Sequence, residues 1–180
     1  MNASLPFLSY DPRCLKRDVS SWVSSNWTKD VDIADLINQN PDIYWFQTIM
    51  QGNGFKDGFF GVHTAGESFP LKPGSHDKKC SRIPGHYTIG GDPGGDFFAS
   101  PGDPAFFLHH AQIDRTWWIW QNQDLAARQN AISGTITLNN DPPSRNGTLE
   151  DWLEMGILGT GTEIKNVMFS TGGPLCYIYI

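Results

Sequence analysis

The stretch that most restricts this chain runs from Asp103 to Gln123. It follows a loop over residues 90–102, rich in glycine and holding two prolines, that no regular element could contain. Asp103 is a good N-cap, and Pro104 suits the first helical turn, where its missing N–H leaves no bond unmade. Residues 105–123 contain neither glycine nor proline, so the spacing predicts a long helix. Phe106, His110, Ile113 and Trp117 then share one stripe, with Phe107, Asp114 and Trp118 beside it. The indoles Trp117, Trp118 and Trp120 read as core and interhelix packing, and Arg115 as half of a structural ion pair.

The rest of the chain is organised around that helix. Residues 15–40 carry apolar positions at roughly helical spacing with an interruption near Asn26, and Pro41-Asp42 opens a further short helix over 43–50. A glycine-rich stretch follows through Gly52, Gly54, Gly58 and Gly61. Residues 133–147 have turn chemistry. Thr148 reads as the cap of a last helix, with Asp151 three places on closing an acidic capping box. The tail from Gly172 reads as extended, and a small strand pair is expected near the C-terminus.

With 180 residues, 39% of them apolar, the chain is long enough for one domain with a core. A formal charge of -6 with no basic stripe argues against a nucleic-acid surface. No apolar run is long enough to span a bilayer, and no membrane partner is expected. The first residues lack the basic-then-apolar order of a signal peptide. Three Asn-x-Ser/Thr triplets, at Asn2, Asn26 and Asn146, lean slightly towards a secreted origin. Three cysteines, Cys14, Cys80 and Cys176, leave one over in any disulfide scheme.

Five histidines carry the chemistry: His63, His76, His86, His109 and His110. Imidazole is a common ligand for copper, zinc and iron, and a helix that projects one inward makes a rigid site. His110 lies on the apolar stripe, whereas His109 is turned about 100° away from it. Asp114 sits one turn beyond His110, close enough to support it or to order the helix. A buried histidine satisfied by ordinary hydrogen bonds is the plainer alternative.

Asp103, Pro104, Phe106, Phe107, His110 and Asp114 fill every fixed position of the pattern Asp-Pro-x-Phe-aromatic-x-x-His-x-x-x-Asp. This segment resembles the second copper signature of the tyrosinase family. The resemblance extends over residues 10–14, 61–66, 89–96 and 142–146, in the style of secreted fungal members. It implies a mainly α fold, the C-terminal half of a tyrosinase-type copper helical bundle with long irregular loops. It further implies three copper ligands, His63, His86 and His110. His109 becomes a non-ligand neighbour behind them, Asp114 a supporting residue, and Phe106 and Phe107 walls of the site.

The first two ligands of such a site are expected four residues apart, in the order His-Thr-Ala-Gly-His-Tyr-Thr-Ile-Gly-Gly. Here His63-Thr64-Ala65-Gly66 is separated from His86-Tyr87 by residues 67–85, which have no helical or strand period and hold Cys80 and His76. One reading makes this insert of 19 residues a translated intron. Gly66-Glu67-Ser68 can be encoded with a splice donor and Pro84-Gly85 with an acceptor. Removal restores the four-residue spacing and leaves Cys14 and Cys176 able to form one disulfide. The rival is a genuine loop over the site, since closure entropy grows slowly with length. The intron is favoured because a loop would break the helix between its two ligands.

The family resemblance implies two coppers, each on three histidines, oxidising phenols to catechols and catechols to o-quinones with dioxygen. Residues 1–62 hold no histidine, so at most one copper is expected here. The whole of 1–180 then reads as a partial copper-binding domain, with Met1 an internal start or the product of a truncated gene model. Thr64 stands where strongly monophenol-active members often carry Asn, which favours catechol oxidation for a full-length relative. A non-catalytic copper-binding remnant is the second reading. An oxygen carrier with the same type of copper pair is a third, and nothing in the flanking sequence supports it.

Overall fold

The computed structural model describes residues 25–53, 59–61, 63 and 100–180. Residues 25–27 are helical and the chain breaks at 28–29, close to the interruption expected near Asn26. Helix α1, Asp30–Gln39, follows, its start closed by the Asp32 carboxylate accepting the Lys29 N–H at 2.9 Å. Helix α2, Ile43–Gln51, is capped by Asp42, whose side chain accepts the Tyr44 and Trp45 N–H groups. Helix α3, Pro104–Asn122, has the bounds the sequence predicts, with Asp103 accepting the Ala105 N–H at 2.8 Å and Pro104 in the first turn. Helix α4, Leu125–Arg128, is a single turn. The fold is mainly helical, as expected.

The core is where α1, α2 and α3 meet. Leu36, Ile37, Phe46 and Trp120 are buried there, flanked by Ile33, Ile49, Met50, Ile113 and Trp117. Trp120 is fully buried, stacks on Phe46 at 4.7 Å between centroids and donates its indole N–H to the Asn40 carbonyl at 2.6 Å. Gln121 is also buried, and its amide donates to the carbonyls of Gln129 and Met168. That polar side chain ties α3 to α4 and to the C-terminal segment. The neighbouring stripe of α3 takes the chain's tail. Tyr177 donates to the Asp114 carboxylate at 2.6 Å, Tyr179 donates to the same oxygen, and the Tyr179 ring meets Trp118 edge-on.

Two short antiparallel pairs complete the described residues. Strand β1, Gly52–Asn53, pairs with β2, Phe59–Phe60, in the register Gly52 to Phe60. Strand β3, Trp152–Leu153, pairs with β4, Thr162–Glu163. The helix expected after Thr148 is absent. The capping contact itself forms, with Asp151 accepting the Thr148 N–H at 2.7 Å, but it closes an isolated turn. The same carboxylate is gripped by Arg145, and the chain leaves at once as β3 rather than propagating a helix. Arg115 takes no part in the two ion pairs found among the described residues, Arg145–Asp151 and Lys165–Glu163. Among these residues no helix is long and apolar enough to cross a membrane.

Gly61 delivers the chain from β2 towards His63 and is buried. A Cβ at this position would lie 2.2 Å from the carbonyl oxygens of Ile49 and Met50 and 2.6 Å from the Gly52 nitrogen, all backbone atoms that cannot swing aside. Gly61→Ala is expected to cost about 1–3 kcal/mol, the usual range for overpacking. A urea unfolding midpoint equal to that of the unsubstituted chain would refute the contact.

Candidate metal centre

The long helix and the segment after β2 bring two of the sequence-selected histidines together. His63 Nε2 and His110 Nε2 lie 3.2 Å apart. His110 Nδ1–H donates to the Phe106 carbonyl one turn back, at 2.9 Å. That bond puts the ring hydrogen on Nδ1 and leaves the Nε2 lone pair facing His63. Phe106 itself stacks on the His110 ring at 3.8 Å between centroids, which fixes the ring plane. His109, turned away as its helical position demands, donates Nε2–H to the His63 backbone carbonyl at 2.9 Å and stacks on the His63 ring at 5.4 Å. It therefore holds the backbone of the other histidine in place.

The separation suits a shared ion. Two imidazoles each bonded at about 2.0–2.1 Å with a near-tetrahedral angle between them have their nitrogens about 3.3–3.4 Å apart, close to the observed separation. Imidazole is also the donor type that copper accepts readily. Among the described residues no three His, Cys, Asp or Glu side chains converge on one point. The third sequence-selected ligand, His86, lies outside the described residues, as do His76, Cys14, Cys80 and the insert 67–85. Cys176 is exposed near the C-terminus.

The remaining candidates sort themselves by contact. Asp114 directs its carboxylate to Tyr177 and Tyr179, so it anchors the tail on the helix that carries His110. Phe107 is 61% exposed and meets the edge of the Phe106 ring at 5.4 Å. Helical spacing had grouped Phe107 with Asp114 and Trp118, the stripe beside that of His110, which takes the tyrosines of the tail. A cavity of about 620 Å³ opens at the pair, and its lining includes Thr48, Met50, Ile113 and Asn139. Asn139 arrives from a distant turn and carried no sequence signal beyond turn chemistry.

Burial lowers the His63 pKa from 6.5 to about 4, helped by the neighbouring His109 and His110 rings. Burial lowers that of His109 too, opposed by its bond to the His63 carbonyl. At neutral pH both rings are uncharged, the form a metal requires. Above pH 6.5 His63 is neutral folded and unfolded and adds nothing to the pH dependence. Between 6.5 and about 4 the unfolded chain takes up a proton that the folded chain resists, so stability falls as pH drops through that window. The metal-free protein should therefore melt lower at about pH 5 than at about pH 7, and His63→Asn should shrink that difference. Equal differences in the two proteins would count against the burial of His63.

Comparison with known proteins identifies the family. The family model "Common central domain of tyrosinase" matches residues 4–123. Tyrosinase P of Aspergillus terreus is 35% identical over 173 residues, 94% of this chain and 42% of that protein. N-acetyl-6-hydroxytryptophan oxidase of Emericella nidulans is 30% identical over 176 residues, 95% of this chain and 43% of that protein. A mutant polyphenol oxidase from Thermothelomyces thermophila superposes with a TM-score of 0.75 at 35% identity, covering 96% of this chain and 43% of the other. The chain thus spans less than half the length of these relatives. With a family model matched over residues 4–123, two-thirds of its length, this chain belongs to the tyrosinase family.

Proposed function

We propose that this chain is the half of a tyrosinase-type oxidoreductase that carries the second copper, held by His63, His86 and His110. The observation that carries the reading is the 3.2 Å approach of the His63 and His110 Nε2 atoms, with His110 Nδ1 engaged by the Phe106 carbonyl. The family chemistry supports the rest. Phenols and catechols are the substrate class and o-quinones the products, with dioxygen as oxidant and secretion as the cellular setting. Bound copper, as a pair of ions in a complete site, supplies dioxygen binding and the two-electron oxidation. The chain's own residues supply imidazole donors, with His63 kept uncharged at neutral pH by burial, and a ring orientation fixed at His110 by the Phe106 carbonyl. His109 steadies the His63 backbone, and the Asp114–tyrosine contacts steady the helix that bears His110.

One copper per 180-residue chain is the expected stoichiometry, with catechol turnover by the isolated chain near background. Metal analysis after copper loading and dialysis tests the first point, and quinone absorbance in the presence of catechol tests the second. A chain that retains no copper, or that turns over catechol at the rates of a complete enzyme as a monomer, refutes the assignment. The second reading, a copper-binding remnant with no oxidase partner, shares the copper prediction and differs in that no added partner chain restores turnover.

We further propose that residues 67–85 are a translated intron. The spacing left on their removal, four residues between His63 and His86, suits two ligands on one helical turn. Transcripts that all retain this segment would refute it.

A further inference from the structure

We infer that Asn139 is a substrate-positioning residue, whose side-chain amide hydrogen-bonds a polar substituent of a phenol whose hydroxyl faces His63 and His110. The inference rests on the copper reading of that histidine pair and adds a recognition element in the same cavity. Asn139 shares the cavity of about 620 Å³ with His63, His110, Thr48, Met50 and Ile113. A cavity of that volume accepts a small aromatic molecule, and Met50 and Ile113 offer its ring an apolar surface.

The amide of Asn139, unlike that of its neighbour Asn140, is not used by the turn. The Asn139 backbone is left-handed, with φ 55 and ψ 20, and Asn140 beside it has φ 57. Glycine meets that requirement at the lowest conformational cost, and asparagine adds an amide to it. The amide of Asn140 has a structural task, because its Oδ1 accepts the Ser144 N–H at 2.9 Å. The amide of Asn139 has none among the described residues, although it lines the cavity. The turn around it is closed by its own bonds. Thr137 Oγ1 donates to the Pro142 carbonyl at 2.6 Å, and the Asn140 and Asp141 N–H groups donate to the Thr137 and Leu138 carbonyls at 3.1 Å. Gln47, a second amide on the cavity lining, is already committed to the Ser133 carbonyl at 3.0 Å. Asn139, exposed at the rim of the cavity, is thus a donor and an acceptor on a backbone that the turn fixes, with its hydrogen-bonding capacity unspent on the turn. The ligand class that fits is a single-ring phenol bearing an uncharged polar group on the side away from its hydroxyl.

The test uses the 180-residue chain, labelled with nitrogen-15 and loaded with copper(I), titrated with phenol and with 4-hydroxybenzyl alcohol. Asn139→Gly is the informative variant, since glycine keeps the left-handed turn and removes only the amide. The unsubstituted protein should bind 4-hydroxybenzyl alcohol about threefold to tenfold more tightly than phenol, the effect of one neutral hydrogen bond. The Asn139 side-chain amide resonances should shift only with the former. In Asn139→Gly the preference should vanish while the affinity for phenol and the melting temperature stay as they were. A preference that survives the substitution overturns the inference, and so does an equal loss for both ligands. Copper content is measured on the same samples. A chain that takes up no copper refutes the copper assignment alone, and the two ligands are then compared on the metal-free protein by the same criteria.

Discussion

His110→Ala is expected to abolish stable copper binding. Removing a supporting contact near a metal ligand commonly costs 10–100-fold in affinity, and removing the ligand itself should exceed about 100-fold. His110 is the better position to test than His63, because its ring is fixed on both sides. Phe106 stacks on one face and the Phe106 carbonyl holds Nδ1, so the lone pair of Nε2 is aimed before any ion arrives. Alanine in its place leaves His63 Nε2 without the partner now 3.2 Å away, and a favourable helix former replaces a poor one. The fold should therefore survive, as far-ultraviolet circular dichroism would show. Copper retention in His110→Ala equal to that of the parent chain would refute the site. His109→Ala supplies the contrast: it loses the bond to the His63 carbonyl, so copper should bind more weakly without disappearing.

The second large effect lies in the core. Trp120→Ala should destabilise the chain by about 3–5 kcal/mol, the range for truncating a buried tryptophan. Three losses add up at this one side chain. The fully buried indole gives up its stacking on Phe46, its hydrogen bond to the Asn40 carbonyl, and the cation–π contact of the Arg128 guanidinium 4.7 Å above the ring. Asn40 closes α1, so the lost bond also frees the end of that helix. Against a total stability of about 5–15 kcal/mol for a domain, the variant would stand near its unfolding threshold. Trp120→Phe should lose less, since stacking persists and only the N–H is removed. Chemical denaturation followed by tryptophan fluorescence and circular dichroism measures both, and a midpoint for Trp120→Ala matching the parent would show that the three-helix junction is not the core.

Much of this was legible in local sequence. The bounds of α3 follow from Asp103, Pro104 and nineteen residues free of glycine and proline, because a helix start and its continuation depend on neighbours within about four places. The 100° step per residue set His110 on the apolar stripe and His109 beside it, and the family signature singled out His110; in the structure His110 meets the His63 ring nitrogen and His109 the His63 carbonyl. The capping signal at Thr148 and Asp151 was also read correctly as a local bond, yet it did not make a helix. A cap closes one turn, and only packing of an apolar face sustains the next.

What the sequence alone determined was the helix that bears His110, the face of it that His110 occupies, and the family whose signature it matches. Tertiary structure alone decided which residues from elsewhere meet that face. Asp114 found Tyr177 and Tyr179, more than sixty residues downstream, and Phe107 was left in solvent. Gly61 proved to be wedged against α2, and Asn139 came to the cavity from a separate turn. Helical periodicity fixes the direction in which a side chain leaves its own backbone. It carries no information about the distant segment that packing brings opposite.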